Sequence, residues 1–354
     1  MKWPAMEYES NRGFLFQNVF FAFIAAVFFI YILKELRMIF IPFFIALLLY
    51  FMLKESVQKL ETWKIPKPLI MIGLLLVIFI SLSLFGLLLF IGVSSFIDNF
   101  PAYSENITRL VKSVLPSLKL PILDVEKYIA NLDWEKILNP GQITALVSGT
   151  MGNFTNFIGN LLLVLLLLMF MLGEKVPMIT RIARTLSRER GDELQRIVAA
   201  IDTRIQHYLF IKTLLSLVTA TLAALILFAG RVDFIIFAAL LVFFLNYIPT
   251  FGSLLSTIFP VLITFLRYGF CLRLVLVAAS LMVMQFVMGN ILEPQIMGRS
   301  LNLSPIVILL SLIFWGWLWG VVGMFLAVPI TSALRIIFES IPTLKPLAAA
   351  MSGE

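Results

Sequence analysis

Residues 243–255 read FFLNYIPTFGSLL. Asn246, Pro249, Thr250 and Gly252 interrupt a run of bulky apolar residues, and the run resumes just past Ser253. In water this would be an ordinary turn. In a bilayer, backbone freed by such a break finds no solvent partner, so the interruption is tolerable only inside protein or beside a wet cavity. Composition decides which case applies. Of 354 residues, 61% are hydrophobic and 13% charged, against about half and about a quarter in soluble domains. The chain is therefore read as a membrane protein. Its net charge of +7 does not point to nucleic acid, because the basic residues lie between apolar runs rather than along one face. The single cysteine, Cys271, excludes an intramolecular disulfide and a cysteine metal cluster, and is read as a packing residue.

A hydrocarbon core of roughly 30 Å needs about 20 apolar residues in a helix. Five segments meet or approach this before residue 230: 14–33, 38–53, 69–93, 154–172 and 208–229. The N-terminal stretch shows no cleavage pattern, so 14–33 is read as a retained span. Runs such as NLLLVLLLLMFML lack the alternation a transmembrane barrel requires, which leaves an all-α polytopic fold. With a cytoplasmic N-terminus, residues 54–68 and 173–206 are also cytoplasmic. They hold Lys54, Lys59, Lys64 and Lys67, then Lys175, Arg181, Arg184, Arg188, Arg190, Arg196 and Arg204, as the positive-inside rule asks.

Two excursions leave the membrane. Residues 94–153 carry amphipathic spacing at Ile107, Leu110, Val111 and Val114, and again at Val125, Tyr128, Ile129 and Leu132. Pro116 and Pro121 separate these helices, NPG at 139–141 ends the second, and a third is expected over 142–153. On the cytoplasmic side, Ile179, Ile182, Ala183 and Leu186 mark one amphipathic helix. Leu194, Ile197, Val198 and Ile201 mark another that continues into the span at 208.

Residues 234–266 are too long for one span and too short for two. They divide at NYIPTFGS into arms of about 15 residues, each roughly 22–24 Å long. Residues 303–338 behave alike around WGWLWGVVGMFLAVP, with Gly316, Gly320, Gly323 and Pro329. Each is expected to be a helical hairpin with its tip at depth. The first hairpin begins and ends outside; the span 271–291 returns inward; the second begins and ends in the cytoplasm. Span plus hairpin, repeated in opposite orientation, is an inverted-topology repeat, and paired interrupted segments point to a transporter's binding site. The reading is thus five to six full spans plus two broken hairpins. It divides into a three-span region (1–93), extracytoplasmic amphipathic helices (94–153), a fourth span with basic cytoplasmic helices (154–206), a transport core (207–339) and a tail (340–354), with both termini cytoplasmic.

Unwinding from Pro249 to Gly252 is expected to free backbone groups for an ion or polar solute, with Asn246, Thr250 and Ser253 adding side-chain donors and acceptors. The second tip offers Gly320, Gly323 and Pro329, with Ser311, Thr331 and Ser332 as weaker polar candidates. Gln285 and Asn290 precede Glu293, read as a membrane-edge carboxylate with Arg299 as its partner. Asp233 is expected to pair locally with Arg231. The single histidine, His207, is read as interfacial.

At NYIPTFG, and then at ILEPQIMGRSLNLSPIVILLSLIFWGWLWGVVGMFLAVPITSALRIIFE, the sequence resembles the autoinducer-2 exporter family of bacterial membrane proteins. The shared elements are an Ile-Pro-x-x-Gly turn, then Pro-x-x-x-Gly-x-x-x-x-x-x-Pro, then Gly320, Gly323, Ala327 and Pro329 in a Gly-x-x-Gly-x-x-x-Ala-x-Pro element. The match is dense over 207–339 and looser over 1–206. The resemblance implies an inner-membrane transporter assembled as a homo-oligomer such as a pentamer. Members of the family are linked to autoinducer-2 export and to sodium–proton antiport.

The expected function is secondary transport of a small polar solute across the bacterial inner membrane, with autoinducer-2 the leading candidate because uncharged Asn, Thr, Ser and Gln suit a hydroxyl-rich molecule. The runner-up is a cation–proton antiporter, which wants a carboxylate at depth. No phosphate-binding loop is present for ATP-driven transport, and no HExxH or GxSxG motif for an enzyme. No cofactor is called for.

Overall fold

The computed structural model describes residues 20–21, 24–114, 158–174, 178–249, 251–297 and 302–353. The expected helices over 125–132 and 142–153, together with Thr250 and Arg299, lie outside these residues. Among the described residues the fold is all-α, and six helices are long and apolar enough to cross a membrane.

We number the helices α1 (24–35), α2 (Arg37–Thr62), α3 (Lys67–Val114), α4 (Ile158–Gly173), α5 (Met178–Thr185) and α6 (Arg188–Ala229). After these come α7 (Ile235–Leu245), α8 (Phe251–Tyr268), α9 (Leu272–Met297), α10 (Pro305–Ser340) and α11 (Lys345–Met351). The third span does not stop at residue 93: α3 is 48 residues long, continues into the excursion as far as Val114 and stays helical through Pro101. At 1.5 Å per residue that is about 72 Å, more than twice the hydrocarbon thickness. The amphipathic spacing at 107–114 therefore belongs to the same helix as the span. The basic helix at 194–201 likewise runs unbroken into the span at 208, as expected, giving the 42 residues of α6.

Both interrupted segments reverse direction. Phe237 and Phe259 lie 22 positions apart, which would be about 33 Å along a straight helix, yet their ring centroids are 5.3 Å apart. So α7 and α8 form a hairpin. In α10, Trp315 Nε1 donates to Thr331 Oγ1 at 3.2 Å across 16 positions, where a straight helix would separate them by about 24 Å. The reversal occurs at Gly320, with φ 67° and ψ −146°, a conformation that only glycine adopts without strain. Ser304 starts this hairpin by accepting from Val307 N at 3.3 Å, with Pro305 in the first turn.

In each hairpin a glycine just past the break lets the second arm touch the end of the first. A Cβ on Gly252 would lie 1.7 Å from Leu245 O, and one on Gly323 would lie 1.9 Å from Trp315 O. No rotamer change relieves a clash with backbone, so the arms would have to part.

The hairpins overlap instead of meeting end to end. The first tip reaches Ser216 of α6 through Asn246, 13 residues and therefore about 20 Å back from the end of α6 at Ala229. Trp319, beside the second tip, donates from Nε1 to Leu33 O at 3.0 Å, and Lys34 Nζ stands 5.0 Å over the Trp317 ring. That places the second tip at the α1–α2 turn. Midway, the Tyr247 and Phe325 rings are 4.6 Å apart. Phe325 lies five residues beyond Gly320, so the first tip abuts the flank of the second hairpin about 7 Å from its end.

We expect Gly252→Ala and Gly323→Ala each to destabilise the fold by about 1–3 kcal/mol, the range for overpacking. Gly73→Ala, whose added Cβ meets nothing within 4 Å, should be neutral. Thermal unfolding in detergent, followed by size-exclusion chromatography, distinguishes the three.

Candidate functional site

Helix α6 supplies the spine of the site. Tyr208, Lys212, Ser216 and Thr219 recur at helical spacing and are all buried, with Lys212 only 1% exposed. Phe210, Leu214 and Leu217, on the other side of the helix, are exposed. A polar stripe on a lipid-crossing helix has to find partners inside the protein. It finds them on both flanking elements.

The first hairpin provides one set. Asn246 Nδ2 donates to Ser216 Oγ at 3.0 Å, and the hydroxyls of Tyr247 and Thr213 share a hydrogen bond of 2.7 Å. The expected row of free carbonyls is corrected here. Leu245 O accepts from Ile248 N, Ile248 O from Gly252 N, and Pro249 O from Phe251 N, so the turn uses three of its own carbonyls. Unpaired backbone in an apolar setting costs too much to leave open. The polar contacts this tip makes to α6 come from the side chains of Asn246 and Tyr247.

Helix α9 provides the other set. Gln285 Nε2 donates to Ser256 Oγ at 2.8 Å, and the hydroxyls of Ser256 and Thr257 donate to Ser253 O at 3.0 and 2.8 Å. One turn later α9 widens into a π-helix over Val287–Leu292. In a regular helix Gln285 and Glu293, eight positions apart, would differ by about 80° in direction; a π-turn absorbs roughly one residue and cuts this to about 20°. Glu293 consequently faces the interior, where Lys212 Nζ donates to its Oε1. Glu293, 24% exposed on its side chain, is a salt-bridge residue paired with Lys212; its expected partner Arg299 lies outside the described residues.

At the far end of the first hairpin, Asp233 is bound by Arg267 of α8 and accepts from Tyr103 of α3 at 3.1 Å. Its expected partner, Arg231, instead offers its carbonyl to the Tyr268 hydroxyl at 2.8 Å. Asn106 Nδ2 also donates to Arg267 O at 3.2 Å. The extended end of α3 is thereby latched to the base of the hairpin.

The sequence-derived site residues thus separate. Asn246 and Glu293 bond directly to the polar face of α6, while Gln285 and Ser253 both meet Ser256 of α8. Gly252 serves the closure of the α7–α8 arms and Gly323 that of the α10 arms, while Pro329 is buried within the second arm of α10. Pro249 makes the turn. Gly320 is exposed at the second tip, and Asn290 is exposed and donates to Phe286 O of its own helix at 3.3 Å. His207 is exposed, consistent with an interfacial place. Lys212, Ser216, Thr213 and Tyr247 were missed from sequence. The available signal was a lone lysine in YLFIKTLLSLV, a cation too far inside an apolar run to be ordinary. Among the described residues no group of three or more His, Cys, Asp or Glu side chains could hold a metal.

Removing one partner of a buried ion pair strands the other, at a cost of about 3–5 kcal/mol, whereas replacing both with apolar groups is often neutral or stabilising. We expect Lys212→Met and Glu293→Gln each to lower the unfolding temperature markedly, and Lys212→Met with Glu293→Met to recover most of the loss. A double-variant loss equal to the sum of the two single losses would show that the pair does not couple.

Comparison with known proteins finds a transporter family over most of the chain. The family model described as AI-2E family transporter matches residues 19–343. The AI-2 transport protein TqsA of Escherichia coli (strain K12) is 33% identical over 315 residues, covering 89% of each chain. YhhT of the same organism, a candidate transport protein by name, is 33% identical over 305 residues, covering 84% of each chain. YueF of Bacillus subtilis (strain 168), named in the same way, is 26% identical over 318 residues, covering 86% of this chain and 84% of that one.

Proposed function

The chain belongs to the AI-2E family of membrane transporters, and from that premise we propose that it moves a small, uncharged polar solute of the autoinducer-2 type. The path runs along the buried polar face of α6, where the two hairpins overlap. The observation that carries this reading is the contact of Tyr247 with Phe325, with Asn246 and Tyr247 hydrogen-bonded to Ser216 and Thr213 directly beside it. A solute rich in hydroxyls can exchange hydrogen bonds with Asn246, Ser216, Thr213 and Gln285 one for one. The aromatic pair closes the route until one hairpin shifts against the other.

The setting proposed is the bacterial inner membrane, with both termini cytoplasmic. Residues 207–339 act as the transport core and the two hairpins as an inverted repeat, in a homo-oligomer such as a pentamer. The similarity to TqsA, named as an AI-2 transport protein, supports the choice of solute. The antiporter reading is weaker, because the carboxylate nearest the polar set, Glu293, is already neutralised by Lys212.

Flux into proteoliposomes tests the reading, with labelled autoinducer-2 and with sodium, each with and without a pH gradient. Solute flux is expected, and Asn246→Leu should reduce it roughly tenfold, the equivalent of about one hydrogen bond in a water-poor site. In a Cys271→Ala background, Ser253→Cys should react with small water-soluble thiol reagents. Normal flux through Asn246→Leu, or sodium flux driven by the pH gradient without solute flux, would contradict it.

A further inference from the structure

A second site lies at the end of the bundle that holds the α2–α3 turn, remote from the polar face of α6. Gly173, the last residue of α4, stands against Met71 of α3: a Cβ on Gly173 would be 3.3 Å from Met71 Cε. Between these helices opens a cleft of about 570 Å³ lined by Met71, Met169, Phe170, Met171, Gly173 and Glu174. Its lining is apolar except at the rim. Thioethers and one phenyl ring suit a flexible hydrocarbon chain, and methionine adapts its shape to irregular occupants.

The rim is cationic. Arg181 of α5 reaches Glu174 at 2.8 Å with its side chain still 61% exposed, and a guanidinium with five donors keeps several for a further acceptor. Lys67 sits one helical turn before Met71 on α3, where residues four apart share a face. Its ammonium is 3.6 Å from Glu61 and partly exposed. Arg184 and Arg188 are exposed, with no acidic partner among the described residues.

Helix α5 adds an anchor. It turns 51° from the axis of α4. Its inner face is pinned to α6, since a Cβ on Gly191 would lie 2.6 Å from Ala183 O. Met178 and Ile182, with Leu186 just past its end, follow one another at four-residue intervals and are exposed, and the arginines border this stripe. An apolar stripe edged by arginine is the pattern of a helix lying in the headgroup layer. Trp63, exposed at the α2–α3 turn beside Lys64, repeats it in the residue type that favours that layer.

We propose that this corner binds an anionic phospholipid, with an acyl chain in the α3–α4 cleft and the headgroup phosphate on Arg181, Arg184 and Lys67. Charge complementarity selects the occupant: the apolar cleft accepts any lipid tail, and the cationic rim favours a headgroup with net negative charge. Phosphate–arginine pairing is bidentate and directional. The site does not depend on which solute is carried.

The test uses the full-length protein, delipidated in detergent and titrated with phosphatidylglycerol or phosphatidylcholine under native mass spectrometry. Phosphatidylglycerol should bind more tightly, and Lys67→Gln, Arg181→Gln and Arg184→Gln should each weaken it roughly fivefold, with a smaller loss for phosphatidylcholine, whose choline offsets the phosphate charge. Lys67→Arg should retain binding. A photoreactive benzophenone amino acid replacing Phe170, in phosphatidylglycerol vesicles, should capture a phospholipid, and this arm needs no charge variant to fold. Equal affinity for both lipids, or capture of a second copy of the chain at Phe170, would overturn the proposal.

Discussion

A bilayer offers no hydrogen bond to backbone or side chain, and the rest of this structure follows from where the chain satisfies that demand. Two helices are broken inside the apolar region, at 246–249 and at Gly320. The first break folds its carbonyls back on its own N–H groups and sends Asn246 and Tyr247 to the buried face of α6. The second break is confined to one glycine, so few backbone groups are left without a helical partner. Helix α6 is accordingly greasy on the outside and polar within. Its buried stripe is costly in lipid and worthwhile only because two hairpins and α9 cover it.

The overlap of the hairpins sets what the protein can do. Had the tips met end to end, a solute path would need only a small gap between them. Because the first tip rests on the flank of the second hairpin, the proposed path opens only if one hairpin slides or tilts as a body. The glycine contacts that lock each pair of arms together favour such rigid movement, since each hairpin is tied internally by close backbone approach. The latch of Tyr103 and Asn106 onto the Asp233–Arg267 end restrains the first hairpin, and the bond from Trp319 to Leu33 O holds the second at the α1–α2 turn.

Much of this was legible in sequence. The membrane class, the helical fold and both chain reversals follow from apolar run length and from where Asn, Pro and Gly interrupt it. These are local signals. What stayed hidden depends on residues far apart in the chain. Lys212 and Glu293 are 81 positions apart and meet only because a π-turn rotates the end of α9, which no periodicity announces. Asp233 chose Arg267 over the adjacent Arg231 for the same reason: the hairpin brings a distant cation closer than the turn brings a near one. The continuous α3 was missed because its apolar pattern changes at the membrane surface while its backbone does not. Tyr247 was passed over because an aromatic residue in an apolar run reads as packing until its hydroxyl's partner is known.

The central claim is that the hairpins touch at Tyr247 and Phe325 and must separate there for solute to pass. The most direct test introduces Tyr247→Cys and Phe325→Cys together in a Cys271→Ala background and joins them with a short thiol cross-linker in proteoliposomes. The account predicts that cross-linking abolishes solute flux and that a reducible linker restores it on cleavage, while either single variant is insensitive to the reagent. Full flux through the cross-linked protein would contradict it.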